Sequence, residues 1–241
     1  MRIIKVKNYD ELSVKTAAMI AAQVNLKPNA VLGLATGGSP VGAYEKLVEM
    51  FQQGAVDFSE ITTVNLDEYR GLSKEHEQSY WYFMHDNLFH HVNVKAEKIH
   101  VPNGENPDME RACREYDELI ESVGGIDLQL LGIGLDGHIG FNEPGAAFEP
   151  NTHCVDLTES TIEANKRFFS SKDEVPKQAY TMGIKPIMQA KKVLMIANGA
   201  AKAEILKKAF TGEITPEVPA SILQLHPDFT LIADEDALSE F

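Results

Sequence analysis

The stretch "AVLGLATGGSPVGAYEKLVEMFQQ", residues 30–53, decides the fold. An apolar run of strand length leads into two adjacent glycines, and the chain then continues with helical periodicity. Strand, short loop and helix together make a βα unit, the repeat from which mostly parallel sheets are built. Pro40 stands where the helix begins, a position that suits it because its missing amide would have had no partner there. Gly37 and Gly38 let a ligand approach the backbone closely. The new helix offers unpaired amides and partial positive charge, and Thr36 and Ser39 add hydroxyl donors. The loop therefore reads either as a phosphate cradle or as a plain glycine turn before a helix. The Walker spacing and its lysine are missing, so no nucleoside triphosphate is implied.

The same alternation runs along the chain. Expected strands are "RIIKV", "AVLGLA", "ITTVNL", "IDLQLLGIG", "AYTMGI", "KKVLMIA" and "FTLIAD". Expected helices are "DELSVKTAAMIAAQV", "PVGAYEKLVEMFQQ", "SYWYFMHDNLFHHV", "DMERACREYDELIESV" and "AKAEILKKAF". With 241 residues, 44% of them hydrophobic, and neither repeat nor linker, a single α/β domain over residues 1–241 is expected. The irregular region within about 145–176 is a candidate lid.

A formal charge of −14 argues against a nucleic-acid backbone or an anionic membrane as partner, while leaving room for a small anion held by local cations and amides. Cys113 and Cys154 are far apart in sequence and make neither a disulfide framework nor a zinc knuckle. No apolar run approaches the roughly 20 residues of a membrane span, and the N-terminus lacks the features of a signal peptide. A soluble, cytoplasmic protein is expected.

Loops that follow strands are where an open parallel sheet binds ligands. In "NLDEYRGL", Asp67 and Glu68 come directly after a strand. Asp67, the nearer, can serve as a general base, the alternative being an N-capping or solvated acidic pair. In "LGIGLDGHIGFNEPG", residues 131–145, the G-x-G-x-x-G spacing suggests a dinucleotide, yet Gly140 and Pro144 disfavour the long helix that would receive a pyrophosphate. Asp136 and His138 stand two apart, as on one side of an extended segment, and Glu143 can fold back on them to make a proton shuttle. The alternative is a structural histidine among turns. Arg167 in "EANKRFF" is a further cation, and Lys202 in "NGAAKAEIL" lies at a loop-to-helix junction suited to an anion. Metal-ligand spacings are absent: there is no H-E-x-x-H, and His85 and His90 are five apart.

"ATGGSPVGAYEKL", "NLDEYRGL", "QSYWYFMHDNLF", "GIGLDGHIGFNEPG", "EANKRFF" and "SILQLHP" resemble, in order and spacing, the glucosamine-6-phosphate deaminase family along the whole chain. The related 6-phosphogluconolactonases have a similar glycine loop and "DGH" turn but typically continue with Ser-Leu-Phe-Pro where this chain has "FNEP", which makes Glu143 the discriminating residue. The resemblance implies an α/β fold with a Rossmann-like, mostly parallel sheet and helices on both faces. It implies conversion of D-glucosamine 6-phosphate and water to D-fructose 6-phosphate and ammonia, with no cofactor or metal. By position, Asp67 matches the base that moves a proton between C2 and C1. His138, with Asp136 and Glu143, matches the ring-opening group, and Thr36, Gly37, Gly38, Ser39, Arg167 and Lys202 match the phosphate-binding positions. Allosteric members carry basic residues about ten to twelve positions after the "NEP" turn and a longer C-terminal tail. Here that stretch reads "GAAFEPNTHCVDL", without Arg or Lys, so neither activation by N-acetylglucosamine 6-phosphate nor a hexamer is expected; a monomer or small homo-oligomer is.

Overall fold

In the computed structural model, residues 1–159, 162, 163, 166, 169, 171 and 174–241 are described. Among them the chain runs β1 (Arg2–Val6), α1 (Tyr9–Leu26), β2 (Val31–Leu34), α2 (Gly38–Gln52), β3 (Thr62–Asn65), β4 (Asp67–Tyr69), α3 (Tyr80–Asn87), β5 (Ile99–His100), α4 (Met109–Ser122) and β6 (Leu128–Leu131). It continues with β7 (His153–Asp156), β8 (Gln178–Thr181), α5 (Ile184–Gln189), β9 (Val193–Ala197), α6 (Ala203–Thr211) and β10 (Phe229–Asp234).

Seven strands form one parallel sheet in the order β1-β10-β9-β6-β2-β3-β5, with helices packed around it. Its central strands β2, β6 and β9 are buried at every position. That is why they read as continuous apolar runs rather than as an alternating pattern. Leu32, Leu34, Leu130, Leu131 and Met195 fill the core with Leu12 and Ile20 of α1 and Leu47 of α2. Helix starts follow local chemistry. Asn8 accepts the Glu11 amide at 3.0 Å before α1, and Asp108 accepts that of Arg111 at 3.0 Å before α4.

The order of the strands places the site. From β2 the chain winds outward through β3 and β5, then returns to the other side of β2 as β6 and winds away through β9 and β10. Between the adjacent strands β2 and β6 the winding reverses, and a crevice opens there beyond the carboxyl ends of the strands. The loops at residues 35–39 and 132–145 leave from those two ends.

One expected strand belongs elsewhere. "AYTMGI" does form a strand, but β8 lies in a separate antiparallel sheet, β4-β8-β7, and not among the parallel strands. The chain leaves the parallel sheet at Leu66. The Leu66 amide still reaches Leu34 O at 3.3 Å, while Leu66 O accepts from Met182 at 2.6 Å. Asp67 is thus the first residue past the crossing. The helix expected over "SYWYFMHDNLFHHV" is shorter than its pattern, since α3 ends at Asn87 and a 3-10 turn, Phe89–His91, follows. Within residues 145–176, His153–Asp156 forms β7 against β8.

Candidate active site

The loop after β6 is a compact turn and not an extended segment. The Gly134 amide donates to His138 O at 2.9 Å and the Gly137 amide to Gly134 O at 3.2 Å. A Cβ on Gly134 would come within 2.3 Å of the His138 ring, so only glycine lets the turn close. Folded this way, Asp136 Oδ1 lies 2.7 Å from His138 Nδ1 and also accepts the His138 amide at 3.1 Å. A bridge between Ile139 and Asn142 turns the chain back, bringing Glu143 Oε2 to 3.6 Å from the same Nδ1. The expected cluster therefore forms, by a turn rather than by the alternation of a strand. Burial works against charge on Asp136, but hydrogen bonding to His138 and the charge of that ring hold its carboxyl down at about 2. With Nδ1 facing carboxylates, Nε2 is the nitrogen free to exchange protons with a substrate.

Asp67 is 6% exposed. Burial, with a smaller contribution from the charge of Glu68, pushes its carboxyl up to about 8. It stands in register with Thr181 of β8. A Cβ on Gly140 would lie 3.0 Å from Thr181 Oγ1 and 3.4 Å from Asp67 Oδ2. Gly140, at φ +59°, is therefore where the turn carrying His138 passes over the base. Thr181 Oγ1 accepts the Phe141 amide at 3.0 Å and pins that passage. Sequence reasoning gave neither residue a part in the site. Gly140 was visible only as a helix breaker, and Thr181 sits in an ordinary strand pattern.

The third component is the loop before α2. Gly37 caps the helix at φ +95° with no side-chain hydrogen bond, which leaves the first amides of α2 open to an anion. Ser39 Oγ donates to Asn198 Oδ1 at 3.1 Å, joining this loop to the end of β9. Lys202 Nζ donates to Ile133 O at 2.5 Å, joining the β9 loop to the β6 loop. Burial lowers the pKa of Lys202, and Asp136 opposes that shift. Thr36, Gly37, Gly38, Ser39 and Lys202 thus converge on one crevice. Asn198, which sequence reasoning passed over, links two of its loops, and the "NG" pair following an apolar strand was the available signal. Arg167 lies outside the described residues. Asp136, His138 and Glu143 also form the one cluster among the described residues able to hold a metal ion, with ligand atoms within 4.8 Å of one another. A cation bound at Nδ1 would compete for the contacts that the carboxylates already make there.

A glycine loop at a helix N-terminus, a buried carboxylate and a carboxylate-held histidine, around one crevice of a parallel sheet, are the parts of a proton-transfer enzyme acting on a small anionic molecule. Residues 6–231 match the family described as glucosamine-6-phosphate isomerases/6-phosphogluconolactonase, and the chain belongs to it. It is 60% identical over 232 residues to a glucosamine-6-phosphate deaminase of Lachnoclostridium phytofermentans, covering 96% of this chain and 98% of that one. A glucosamine-6-phosphate deaminase of Thermoanaerobacter pseudethanolicus is 54% identical over 239 residues, 99% and 94% of the two chains. Among solved structures, a monomeric glucosamine-6-phosphate deaminase superposes over 100% of both chains with TM-score 0.97 and 46% identity. The 6-phosphogluconolactonase of Thermotoga maritima, at 20% identity and TM-score 0.78 over 97% and 99% of the chains, shares the fold.

Proposed function

We propose that the protein converts D-glucosamine 6-phosphate and water to D-fructose 6-phosphate and ammonia. The observation that carries this reading is two separate acid-base centres, Asp67 and His138 with Asp136 and Glu143, meeting at Gly140 over one crevice. Lactone hydrolysis needs one proton-transfer centre; aldose-ketose isomerisation after ring opening needs two.

The phosphate binds to the open amides of Gly37–Ser39, the Thr36 and Ser39 hydroxyls and Lys202, and in our reading to Arg167. That remote binding energy fixes C1 and C2 of the sugar against the acid-base groups. His138 Nε2 takes the proton of the C1 hydroxyl and returns one to the ring oxygen, which opens the pyranose to the aldehyde. Asp136 and Glu143 stabilise the imidazolium formed in between. Asp67, as carboxylate, takes the C2 proton; the electron pair moves to form the C1–C2 enolamine, with a proton delivered to O1. Return of the proton to C1 gives the C2 iminium, water adds to C2, and ammonia leaves as the C2 carbonyl forms. Part of the candidate lid within about 145–176, namely residues 160, 161, 164, 165, 167, 168, 170, 172 and 173, lies outside the described residues.

The phosphate assignment gives a first prediction. Lys202→Met removes one charged donor from the anion site while leaving both acid-base centres in place. The KM for glucosamine 6-phosphate should rise about 10- to 100-fold, the equivalent of roughly 1.5–3 kcal/mol for a charged hydrogen bond, with a much smaller change in kcat. An unchanged KM in steady-state assays would move the phosphate elsewhere.

The reading as a whole is tested by incubating the protein with glucosamine 6-phosphate and measuring ammonia, with and without N-acetylglucosamine 6-phosphate. Ammonia release on a hyperbolic curve that the acetylated sugar leaves unaltered is expected. Hydrolysis of 6-phosphogluconolactone without ammonia release would replace it. We read the molecule as acting as a monomer in the cytoplasm, as the monomeric deaminase of the same fold does for its oligomeric state; light scattering on the purified protein checks the first point. Among the described residues, no helix is long and apolar enough to cross a membrane.

A further inference from the structure

Glu68 adjoins the base, yet none of the steps above uses it. As the next residue of β4 it projects from the opposite side of the strand, and it is 3% exposed. Its carboxylate is fully engaged. Oε1 accepts the amides of Tyr69 at 2.8 Å and Tyr80 at 2.9 Å, and Oε2 accepts that of Trp81 at 2.9 Å. Tyr80 and Trp81 open α3, whose own first turn has no acidic residue; the next amide, of Tyr82, is taken by Ser79 Oγ at 3.0 Å. The helix thus receives its N-terminal negative charge from a residue twelve positions upstream, where such a charge is favoured. The space is built for it: a Cβ on Gly104 would lie 2.3 Å from Tyr69 O and 3.1 Å from Glu68 Cγ.

We propose, resting on the assignment of Asp67 as the base, that Glu68 is its positioning residue. By bracing β4 on the N-terminus of α3 it fixes the direction in which Asp67 enters the crevice, and its buried charge keeps Asp67 strongly basic. A strand of three residues paired on one side needs such a brace, because its short ladder alone leaves its orientation loose. Burial pushes the Glu68 carboxyl up to about 7 against the pull of three amides, while Asp67 beside it rises to about 8. Three donated amides favour the charged form of Glu68, and that charge opposes ionisation of Asp67. Among the described residues, the other titratable groups coupled to the Asp67 charge are Tyr69 of β4, Tyr80 of α3 and Tyr116 of α4. All are raised by burial and neutral through the working range. From β8 and the turn over the base come Thr181, Gly140 and Asn142, which do not titrate, and the same turn carries His138.

Glu68→Gln keeps the shape and removes the charge. It should lower kcat for glucosamine 6-phosphate at least tenfold with KM changed less than threefold, and it should move the acid limb of kcat/KM to lower pH. Glu68→Asp keeps the charge but withdraws it from α3, so kcat should fall at least fivefold while the limb stays near its wild-type position. Ser79→Ala, which weakens the same helix end without touching the charge, should lower the unfolding midpoint and leave the limb in place. A folded Glu68→Gln protein with wild-type kcat and limb overturns the inference, as does a limb shift equally large in Ser79→Ala. Should Glu68→Gln not fold, Glu68→Asp decides alone, and wild-type kcat there overturns the inference. The underlying assignment fails separately, and recognisably, if Asp67→Asn itself remains active.

Discussion

Asp67→Asn is expected to lower kcat for glucosamine 6-phosphate by about 10³-fold or more, near the upper part of the range for loss of a general base. The same substitution is expected to make the protein more stable at pH 8. Both effects have one cause. A carboxyl pushed from 3.8 to about 8 by burial is protonated in the folded chain and ionised in the unfolded chain over most of the interval between those values. The unfolded state therefore binds fewer protons there, and stability falls as pH rises from about 4 to about 8, flattening beyond. At pH 8 the penalty is on the order of 5 kcal/mol. An amide carries no such penalty, and even a third of that difference raises the melting temperature by about 5 °C in a chain of this size. Melting curves should therefore separate at pH 8 and converge below about pH 3, where both states keep the group protonated. Equal stability at both pH values, or lower stability of the variant at pH 8, would mean that Asp67 is not held in the environment described.

His138→Gln should cost at least about 100-fold in kcat on the ring-closed sugar, because Nε2 is the group that moves both protons of ring opening. The decisive comparison is with a 4,5-dideoxy analogue of glucosamine 6-phosphate, which has neither the O5 that closes a pyranose nor the O4 that closes a furanose. The variant should lose far less activity on it, since only the steps assigned to Asp67 remain. A loss as large on the analogue as on the natural sugar would place His138 in the isomerisation instead. Asp136→Asn should follow His138→Gln in direction, because it withdraws the carboxylate 2.7 Å from Nδ1 that sets the tautomer.

What could be read from the chain and what could not divides along physical lines. Strands β2, β6, β9 and β10 were legible because burial on both faces forces continuous apolar runs, and the glycines after β2 announced the anion loop. The strands β4, β5 and β7 were not. "DEY", "IH" and "HCVD" are short and largely polar, and they are extended only because a partner strand pairs with them. For the same reason "AYTMGI" could be read as a strand but not assigned to its antiparallel sheet. Convergence of the loops at residues 35–39, 132–145 and 198–202 depends on the strand order around β2 and β6, which no local pattern encodes. Asp136, His138 and Glu143 were recognisable as a cluster by proximity in sequence, although the expected extended geometry proved to be a turn closed by Gly134. Glu68 is a residue that the sequence left without a role except in the alternative reading. Beside Asp67 it read as half of a capping or solvated pair; it does cap a helix, but from a buried position 3% exposed that ties it to the base. Arg167 belongs to the expected phosphate site and lies outside the described residues, so its place there rests on the proposal.

In our reading one buried carboxylate, Asp67, moves the proton from C2 to C1 before ammonia leaves. Proton NMR of glucosamine 6-phosphate, followed in parallel tubes with the wild-type protein and with folded Asp67→Asn, tests it most directly. In the wild-type tube the C2 proton signal should decay as fructose 6-phosphate appears with an equimolar amount of ammonia, while the Asp67→Asn tube should stay at substrate over the same time. Fructose 6-phosphate and ammonia forming at comparable rates in both tubes would contradict the account.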